Sequence, residues 1–141
     1  MRFMILVKAT RDSEAGTMPP DSLFADMGKY HEELQKAGML VDASGLKPSS
    51  QGWRIRYDGA KRSFVDGPFA ETKELVAGYT IIQAKSREEA IEWTKRYPNP
   101  AVDGGKCEIE VRPFYELEDF AASKEIGRFR RLEAERKRSQ P

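Results

Sequence analysis

The sequence of 141 residues contains one histidine, one cysteine and no long apolar run. A membrane-spanning helix needs about 20 predominantly apolar residues, so we expect no membrane span. The apolar stretch at the start of the chain is too short for the core of a signal peptide, and no small-residue cleavage site follows it. Because a lone cysteine cannot form an internal disulfide, we expect a protein of the reducing cytoplasm.

Signatures of cofactor sites are also missing. Cys107 has no histidine or second cysteine at metal-binding spacing, and its place in an apolar alternation with Ile109 and Val111 predicts that it packs in the core. Gly104-Gly105 precedes a predicted strand rather than a helix, and the sequence contains neither a P-loop nor a dinucleotide-binding fingerprint. We therefore predict no metal and no cofactor.

Net positive charge is confined to the end of the chain. Residues 121–141 carry seven Lys or Arg and three Glu, a net charge of +4, whereas the whole chain has +1 and residues 1–120 therefore −3. Because proteins bind nucleic acids by neutralising phosphates with clustered Lys and Arg, the body offers no such surface. Nucleic-acid binding is not expected, except weakly through the tail.

Hydrophobic periodicity predicts a mixture of strands and helices. The continuous apolar run Phe3–Val7 is typical of a central strand, and apolar residues recur at helical spacing over 23–37 until Gly38 ends the helix. Ser86 and Glu89 form a capping box, which predicts the start of a second helix that continues to Pro98. Four further strands are predicted, the middle two of them as a hairpin: 39–44, 53–57, 62–66 and 78–84. A last strand is predicted over 107–113.

Without the inserted hairpin, the element order is strand, helix, strand, strand, helix, strand. This is the split β-α-β arrangement of ferredoxin-like α+β folds, in which both helices cover the same face of the sheet. We expect a second subunit to cover the other face, as a homodimer. The predicted domain spans residues 1–118, and a basic tail, 119–141, follows it. A helix is predicted over 116–138, and we expect its apolar face to dock on a partner.

The densest cluster of informative residues lies between positions 66 and 79. It reads Asp-Gly-Pro-Phe-Ala-Glu-Thr-Lys-Glu-Leu-Val-Ala-Gly-Tyr. Asp66 ends a predicted strand, the Gly-Pro pair turns the chain, and Glu71 and Lys73 follow closely, so several hydrogen-bonding groups could converge at a strand end. From the residues alone we favour a structural turn, capped by Asp66, over a functional site.

This segment resembles the signature of DGPF-type proteins in the YCII-related family. Shorter similar stretches extend the resemblance over roughly residues 1–118: 37–40, 45–48, 89–93 and 110–113. The resemblance implies a dimeric α/β barrel of ferredoxin-like subunits with a small-molecule cleft. Better-studied members of the family include a dehydrochlorinase acting on a chlorinated hydroxyquinol, and a His–Asp pair is the site usually proposed. DGPF-type members are often encoded beside extracytoplasmic-function sigma factors, which implies a regulatory setting.

His31 is the candidate proton shuttle, because an imidazole titrates near neutral pH. In shorter members of the family the proposed histidine stands about one helical turn earlier, where this sequence has Met27. Positions four apart share a helix face, so His31 could reach the same cleft from the next turn. The alternative, which we favour about two to one, is a half-buried histidine whose hydrogen bond is structural.

Glu110 and Arg112 alternate with the apolar residues of the last strand and so face the helix-free side. A buried arginine needs an acidic partner or an anionic ligand. Two interpretations are equally supported: Arg112 pairs with Glu110 or Asp66 within the sheet, or it holds a carboxylate or phenolate.

The leading hypothesis is a homodimeric small-molecule-binding protein, with acid–base catalysis of lyase or isomerase type on an aromatic or carboxylate compound as its candidate activity. Whether it is an enzyme stays open. The proton-transfer candidates are Asp66, His31 and Glu71. The ligand-binding candidates are Arg112, Lys73, Glu110 and Tyr79. The alternative is a non-enzymatic sensor or interaction protein that works with an extracytoplasmic-function sigma factor.

Overall fold

The apolar run near the start of the chain forms β1 (Arg2–Lys8), a central strand of a four-stranded antiparallel sheet. These are findings from a computed structural model, which describes residues 1–140. In the sheet, β1 lies between β5 (Val76–Gln83) and β6 (Ile109–Pro113), and β2 (Leu40–Gly45) pairs with the outer side of β5. The order β2-β5-β1-β6 is that of a split β-α-β fold, so the predicted ferredoxin-like α+β fold is confirmed.

Two helices pack on one face of this sheet. The first, α2 (Asp21–Lys36), ends just before Gly38, whose φ of +71° lies in the left-handed region that glycine adopts at little cost. The second, α3 (Arg87–Thr94), begins after Ser86, whose hydroxyl accepts a hydrogen bond from the Glu89 amide at 3.1 Å. The end of α2 and the start of α3 follow from local sequence, although α3 ends earlier than predicted.

The core lies between the sheet and these helices. Its buried side chains come from every layer: Phe3, Ile5, Tyr30, Leu34, Met39, Ile82, Ala84 and Ala90. The Tyr30 hydroxyl also donates to the Trp93 carbonyl at 2.7 Å, which ties α2 to α3. Because side chains alternate along a strand, Met4 and Leu6 of β1 face the opposite, helix-free side of the sheet. They are only half-buried there.

A separate hairpin follows β2. Its strands are β3 (Trp53–Asp58) and β4 (Lys61–Asp66), and the chain turns at Gly59, whose φ is +62°. One face of the hairpin exposes large apolar side chains: Trp53, Ile55, Tyr57 and Phe64. On the other face the Arg54 guanidinium lies 3.8 Å from the centre of the Phe69 ring. The hairpin therefore contacts the body through the turn that follows it.

A short helix, α1 (Arg11–Glu14), was not predicted from the sequence. It begins at Thr10, whose hydroxyl accepts a hydrogen bond from the Ser13 amide at 3.2 Å, while the Ser13 hydroxyl accepts one from the Thr10 amide at 2.8 Å. This reciprocal pair is a capping box built from two small polar residues. It has a single turn and therefore no hydrophobic period by which it could be recognised.

The predicted core position of Cys107 is wrong. The last strand begins at Ile109 rather than at Cys107, which lies half-buried in the preceding loop. Its thiol donates a hydrogen bond to Asn99 Oδ1 at 3.1 Å, and partial burial raises the pKa of the thiol. The apolar alternation was real, but it was counted two residues beyond the paired part of the strand.

The tail helix starts later than predicted. A short 3₁₀ turn occupies 117–119, and α4 (Lys124–Ser139) begins after Ser123, whose hydroxyl accepts a hydrogen bond from the Ile126 amide at 3.1 Å. The predicted tail also includes Pro141, which lies outside the described residues. No helix within residues 1–140 is long and apolar enough to cross a membrane.

Candidate functional site

A cavity of about 460 Å³ opens between α2 and the β2–β5 edge of the sheet. Its apolar walls come from α2, from the loop before α2 and from the loop after α3: Pro19, Leu23, Phe24, Met27 and Pro100. The polar side chains that line it include His31, Thr80 and Tyr97. Among the residues that the structure describes, no Asp, Glu, Lys or Arg lines this space. The cavity is therefore largely apolar, with a few neutral polar groups.

The His31 ring is held at both nitrogens. Its Nδ1 lies 2.7 Å from the carbonyl oxygen of Met27, one turn earlier in α2, and its Nε2 lies 2.9 Å from Oγ1 of Thr80. A carbonyl oxygen can only accept, so Nδ1 carries a hydrogen and donates it. In the neutral ring Nε2 is then the basic nitrogen, and the Thr80 hydroxyl donates to it.

Thr80 connects His31 to a third group. Its side chain lies on the inward face of β5, where the residue is 1% exposed, and its Oγ1 is 3.3 Å from the Tyr97 hydroxyl. A hydroxyl has one hydrogen to donate. Because Thr80 gives this hydrogen to neutral His31, Tyr97 must be the donor in the remaining bond. The three side chains form one directed row, from Tyr97 through Thr80 to His31.

Aromatic rings pack tightly around the imidazole. The Tyr30 ring centre lies 5.7 Å from that of His31 and 5.2 Å from that of Tyr97, in edge-to-face arrangements. Burial raises the pKa of Tyr30 to about 12, and burial also raises the pKa of Tyr97 against the opposing effect of its hydrogen bond with Thr80. Both phenols therefore keep their protons at neutral pH.

Two of the predicted site residues belong to this cavity, namely His31 and Tyr79. Met27, the position where the resemblance places the family's histidine, lines it as well. The Tyr79 hydroxyl, however, donates to Oδ2 of Asp42 at 3.0 Å. This hydrogen bond and the Asp42 charge raise the pKa of Tyr79. Its phenol is thus engaged outside the row formed by His31 and Thr80.

Three predicted residues of the 66–79 segment are not part of the cavity. Asp66, Glu71 and Lys73 are exposed and do not line it. The reason is topological, since Asp66 ends a strand of the separate hairpin rather than a strand of the main sheet. The structure therefore does not bring Asp66 and Glu71 together with His31 as a single proton-transfer group.

The turn after Asp66 is held by backbone and by residues from earlier in the chain. The Gly67 amide donates to the Gly52 carbonyl at 2.9 Å, and the Phe69 amide donates to Oγ of Ser49 at 3.1 Å. Ser49 in turn donates to the Glu14 carboxylate through both its amide and its hydroxyl. These contacts match the structural interpretation of the segment, with Ser49 rather than Asp66 as the capping side chain.

Glu110 and Arg112 face the helix-free side of the sheet, as the strand alternation predicts. The Arg112 side chain is 71% exposed, and its Nε lies 3.9 Å from Oε2 of Glu110. The other carboxylate oxygen of Glu110, Oε1, lies 3.5 Å from Nζ of Lys8. Arg112 lines a smaller depression of about 240 Å³ beside Met4 and Leu6. The predicted anion-binding residue and His31 therefore lie on opposite faces of the sheet.

Thr80 and Tyr97 were not among the predicted site residues. A signal existed for Thr80, because it is the one hydroxyl at an inward position of a strand whose other inward residues are Gly78 and Ile82. Buried polar side chains are nearly always hydrogen-bonded, so such a position calls for a partner. For Tyr97 no comparable signal exists, since it lies beyond the end of α3.

The comparisons with known proteins bear on the family. A family model described as the YCII-related domain matches residues 1–115. The chain belongs to the YCII-related family. Within residues 1–140, no cluster of three or more His, Cys, Asp or Glu side chains could hold a metal ion.

Two similar proteins illustrate the range of this similarity. One is an uncharacterized protein of Rhizobium meliloti (strain 1021), 26% identical over 95 residues that cover 67% of this chain and 77% of the relative. The other is the structure of 5-chloro-2-hydroxyhydroquinone dehydrochlorinase (TftG) from Burkholderia phenoliruptrix AC1100 in complex with 2,5-dihydroxybenzoquinone. It is 16% identical, with a TM-score of 0.45, over 82% of this chain and 94% of that chain.

Proposed function

We propose that this protein binds a small neutral aromatic compound in the α2 cavity and acts on it by acid–base chemistry, with His31 as the proton acceptor. One observation carries the proposal: an imidazole with a defined basic nitrogen lines an otherwise apolar cavity. The Met27 carbonyl fixes the hydrogen on Nδ1, so that Nε2 is the atom that takes up a proton.

The cavity favours an aromatic ligand over a carboxylate. An ionised carboxylate loses its hydration on entering an apolar site and needs a cationic partner there. Lys73 and Arg112, the predicted partners, do not line the cavity, and none of its described lining residues carries a fixed positive charge. Apolar side chains and the Tyr97 ring suit a flat aromatic ring, and about 460 Å³ is enough for one.

A thermal-shift comparison of phenol, hydroquinone and benzoate tests this function. We expect the two neutral phenols to raise the melting temperature with the logarithm of ligand concentration above the Kd, through a stabilisation of about 2.7 kcal/mol at 100 times the Kd, and benzoate to have no effect. Gly28→Leu should abolish the response, because Gly28 lines the cavity with no neighbouring atom within 4 Å of an added Cβ.

The matched control is Gly127→Leu, at a glycine of α4 that also has open space around it and does not line the cavity. It should respond to the phenols like wild type. A benzoate response as large as that of phenol, or a full phenol response in Gly28→Leu, would show that the aromatic site is not this cavity.

We also propose that a second copy of the chain covers the helix-free face of the sheet. Three observations support a homodimer: Met4, Leu6 and Ile81 lie there only half-buried, α2 and α3 pack on the opposite face, and the hairpin exposes a further apolar face. A patch of this kind on a soluble protein usually marks an interaction surface.

A second candidate function, an interaction or sensor protein that contacts a sigma factor, is favoured by one feature of α4. Phe129 and Leu132 are 58% and 60% exposed on a helix whose last turn is basic. Such a face is typical of a helix that docks on another protein. This candidate does not use the α2 cavity.

Analytical ultracentrifugation of two full-length variants separates these roles. We expect wild type to sediment as a dimer and Leu6→Arg to sediment as a monomer, because a longer, charged side chain in place of Leu6 would add bulk and a desolvation cost to the interface. Phe129→Asp with Leu132→Asp should leave the dimer intact if α4 serves a different partner. A Leu6→Arg dimer as tight as wild type would contradict the proposed interface.

A further inference from the structure

We propose that the Tyr97 hydroxyl contacts the ligand and that Thr80 passes a proton from Tyr97 to His31, so that the ligand is a compound with a weakly acidic hydroxyl, such as a phenol. This inference rests on the proposed binding of an aromatic compound in the α2 cavity. It adds two residues and a direction of proton movement to that function.

The first step of the argument is that His31 is blocked from direct contact with a ligand. Nδ1 is occupied by the Met27 carbonyl, and Nε2 already accepts the Thr80 hydroxyl at 2.9 Å. Each imidazole nitrogen makes one hydrogen bond in the plane of the ring. A proton from the cavity therefore reaches Nε2 through Thr80, unless the ligand breaks the bond between the two.

The second step concerns which group meets the ligand. Thr80 borders the cavity but is 1% exposed, and its hydroxyl is already engaged by His31 and Tyr97. Tyr97 lines the cavity and gives its only hydrogen to Thr80, which leaves its oxygen free to accept a hydrogen bond. An oxygen that can only accept selects a ligand that donates. A hydroxyl group on an aromatic ring provides both this donor and the apolar body that the cavity walls suit.

Proton transfer along this row balances without any further reactant. The ligand O–H bond breaks and its proton bonds to the Tyr97 oxygen, while the Tyr97 proton moves to Thr80 Oγ1 and the Thr80 proton moves to His31 Nε2. Both hydroxyls are neutral before and after. The products are a phenolate in the cavity and an imidazolium at His31. No atom is oxidised or reduced.

The surroundings of His31 match this charge separation. The titratable groups that face its ring are Tyr30 from its own helix and Tyr97 from the segment after α3, with ring centres at 5.7 and 6.2 Å. Both phenols are protonated at neutral pH, because burial raises the pKa of each. Tyr79 of β5 lines the same cavity, but its hydroxyl is bound to Asp42.

An imidazolium at His31 thus has no carboxylate partner among the residues lining the cavity. The Met27 carbonyl can stabilise the charge at Nδ1, and the newly formed phenolate supplies the opposite charge. In a site of low dielectric constant the two product charges attract each other strongly. The ligand itself thereby provides the counterion of the imidazolium.

The probe for this inference is 4-nitrophenol, because its ionised form is yellow and its protonation state can be read directly by absorbance. Binding is measured separately, by equilibrium dialysis. For wild type we expect the apparent pKa of bound 4-nitrophenol to be lower than that of the free compound by about one unit or more. Tyr97→Phe and Thr80→Val should still bind the probe, about tenfold more weakly at most, but should lose this shift.

Two further variants separate proton transfer from packing. Thr80→Ser keeps the hydroxyl, and we expect it to retain the shift that Thr80→Val loses. Tyr115→Phe removes a hydroxyl from a side chain that is exposed and does not line the cavity, so it should behave like wild type. If Thr80→Val and Tyr97→Phe bind the probe and still lower its apparent pKa as much as wild type does, the proposed proton transfer through Tyr97 and Thr80 is wrong. If wild type does not bind 4-nitrophenol, the proposed binding of a phenol fails, and the proposed proton transfer fails with it.

Discussion

Replacing Gly67 with alanine should lower the free energy of unfolding by at least about 2 kcal/mol. A Cβ added at Gly67 would lie 1.8 Å from the carbonyl oxygen of Ser49 and 2.7 Å from its carbonyl carbon. Both are backbone atoms, so no side chain can rotate out of the way. The turn must move away from the 3₁₀ segment Ser49–Gln51, and this movement also strains the hydrogen bond from the Gly67 amide to the Gly52 carbonyl.

Urea denaturation of wild type and variant measures this loss, provided that the unfolding free energy of both depends on urea concentration with the same slope (the m value). The control is Gly127→Ala, because Gly127 lies inside α4 and an added Cβ there meets nothing within 4 Å. Alanine is about 1 kcal/mol more favourable than glycine inside a helix, so the control should be neutral or more stable than wild type. A Gly67→Ala variant within about 0.5 kcal/mol of wild type would show that the turn has room to relax.

The Gly67 contact also explains the sequence signature around it. Glu14, Ser49 and Phe69 form a chain of hydrogen bonds that fastens the end of the hairpin to the loop before it. The signature therefore describes a joint between the hairpin and the body. This is a structural reason for an Asp-Gly-Pro-Phe segment, and it requires no catalytic part for Asp66.

Much of the main sheet and its helices could be predicted from the sequence because their signals are local. The apolar run of β1, the glycine after α2 and the serine before α3 each act within a few residues. The order of the elements then selects the ferredoxin-like topology, since few arrangements connect them without crossing. The error at Cys107 has the same origin, because alternation alone cannot tell where pairing stops.

The candidate site could not be predicted in the same way, because its members are far apart in the chain. His31 and Thr80 are separated by 49 positions, and Thr80 and Tyr97 by 17. They meet only after α2 and the end of α3 have packed on β5. Asp66 and Glu71, by contrast, stand close together in sequence, yet the hairpin keeps that segment out of the main sheet. Density along the chain was thus a poor guide to proximity in the fold.

Leu34→Ala should cost about 2–5 kcal/mol of unfolding free energy. Leu34 is fully buried, at 0% exposure, and belongs to the cluster in which α2 packs against Phe3, Ile5 and Ile82 of the sheet. Truncation removes three carbons and leaves a cavity that the surrounding sheet, held by backbone hydrogen bonds on both sides of β1, cannot easily close. The loss is measured by urea denaturation at equal slope.

The control for Leu34 is Leu132→Ala, because Leu132 is 60% exposed on α4 and should change stability by no more than about 0.5 kcal/mol in the absence of a partner. Leu34 lies on the same helix as His31, one turn further along, so its loss should also loosen the position of the imidazole relative to Thr80. We therefore expect Leu34→Ala to weaken phenol binding while it remains folded, whereas Leu132→Ala binds phenol normally. Equal unfolding free energies for the two variants would contradict the assignment of Leu34 to the core. Normal phenol binding by a destabilised Leu34→Ala would show that the sheet alone holds the row of side chains from Tyr97 to His31.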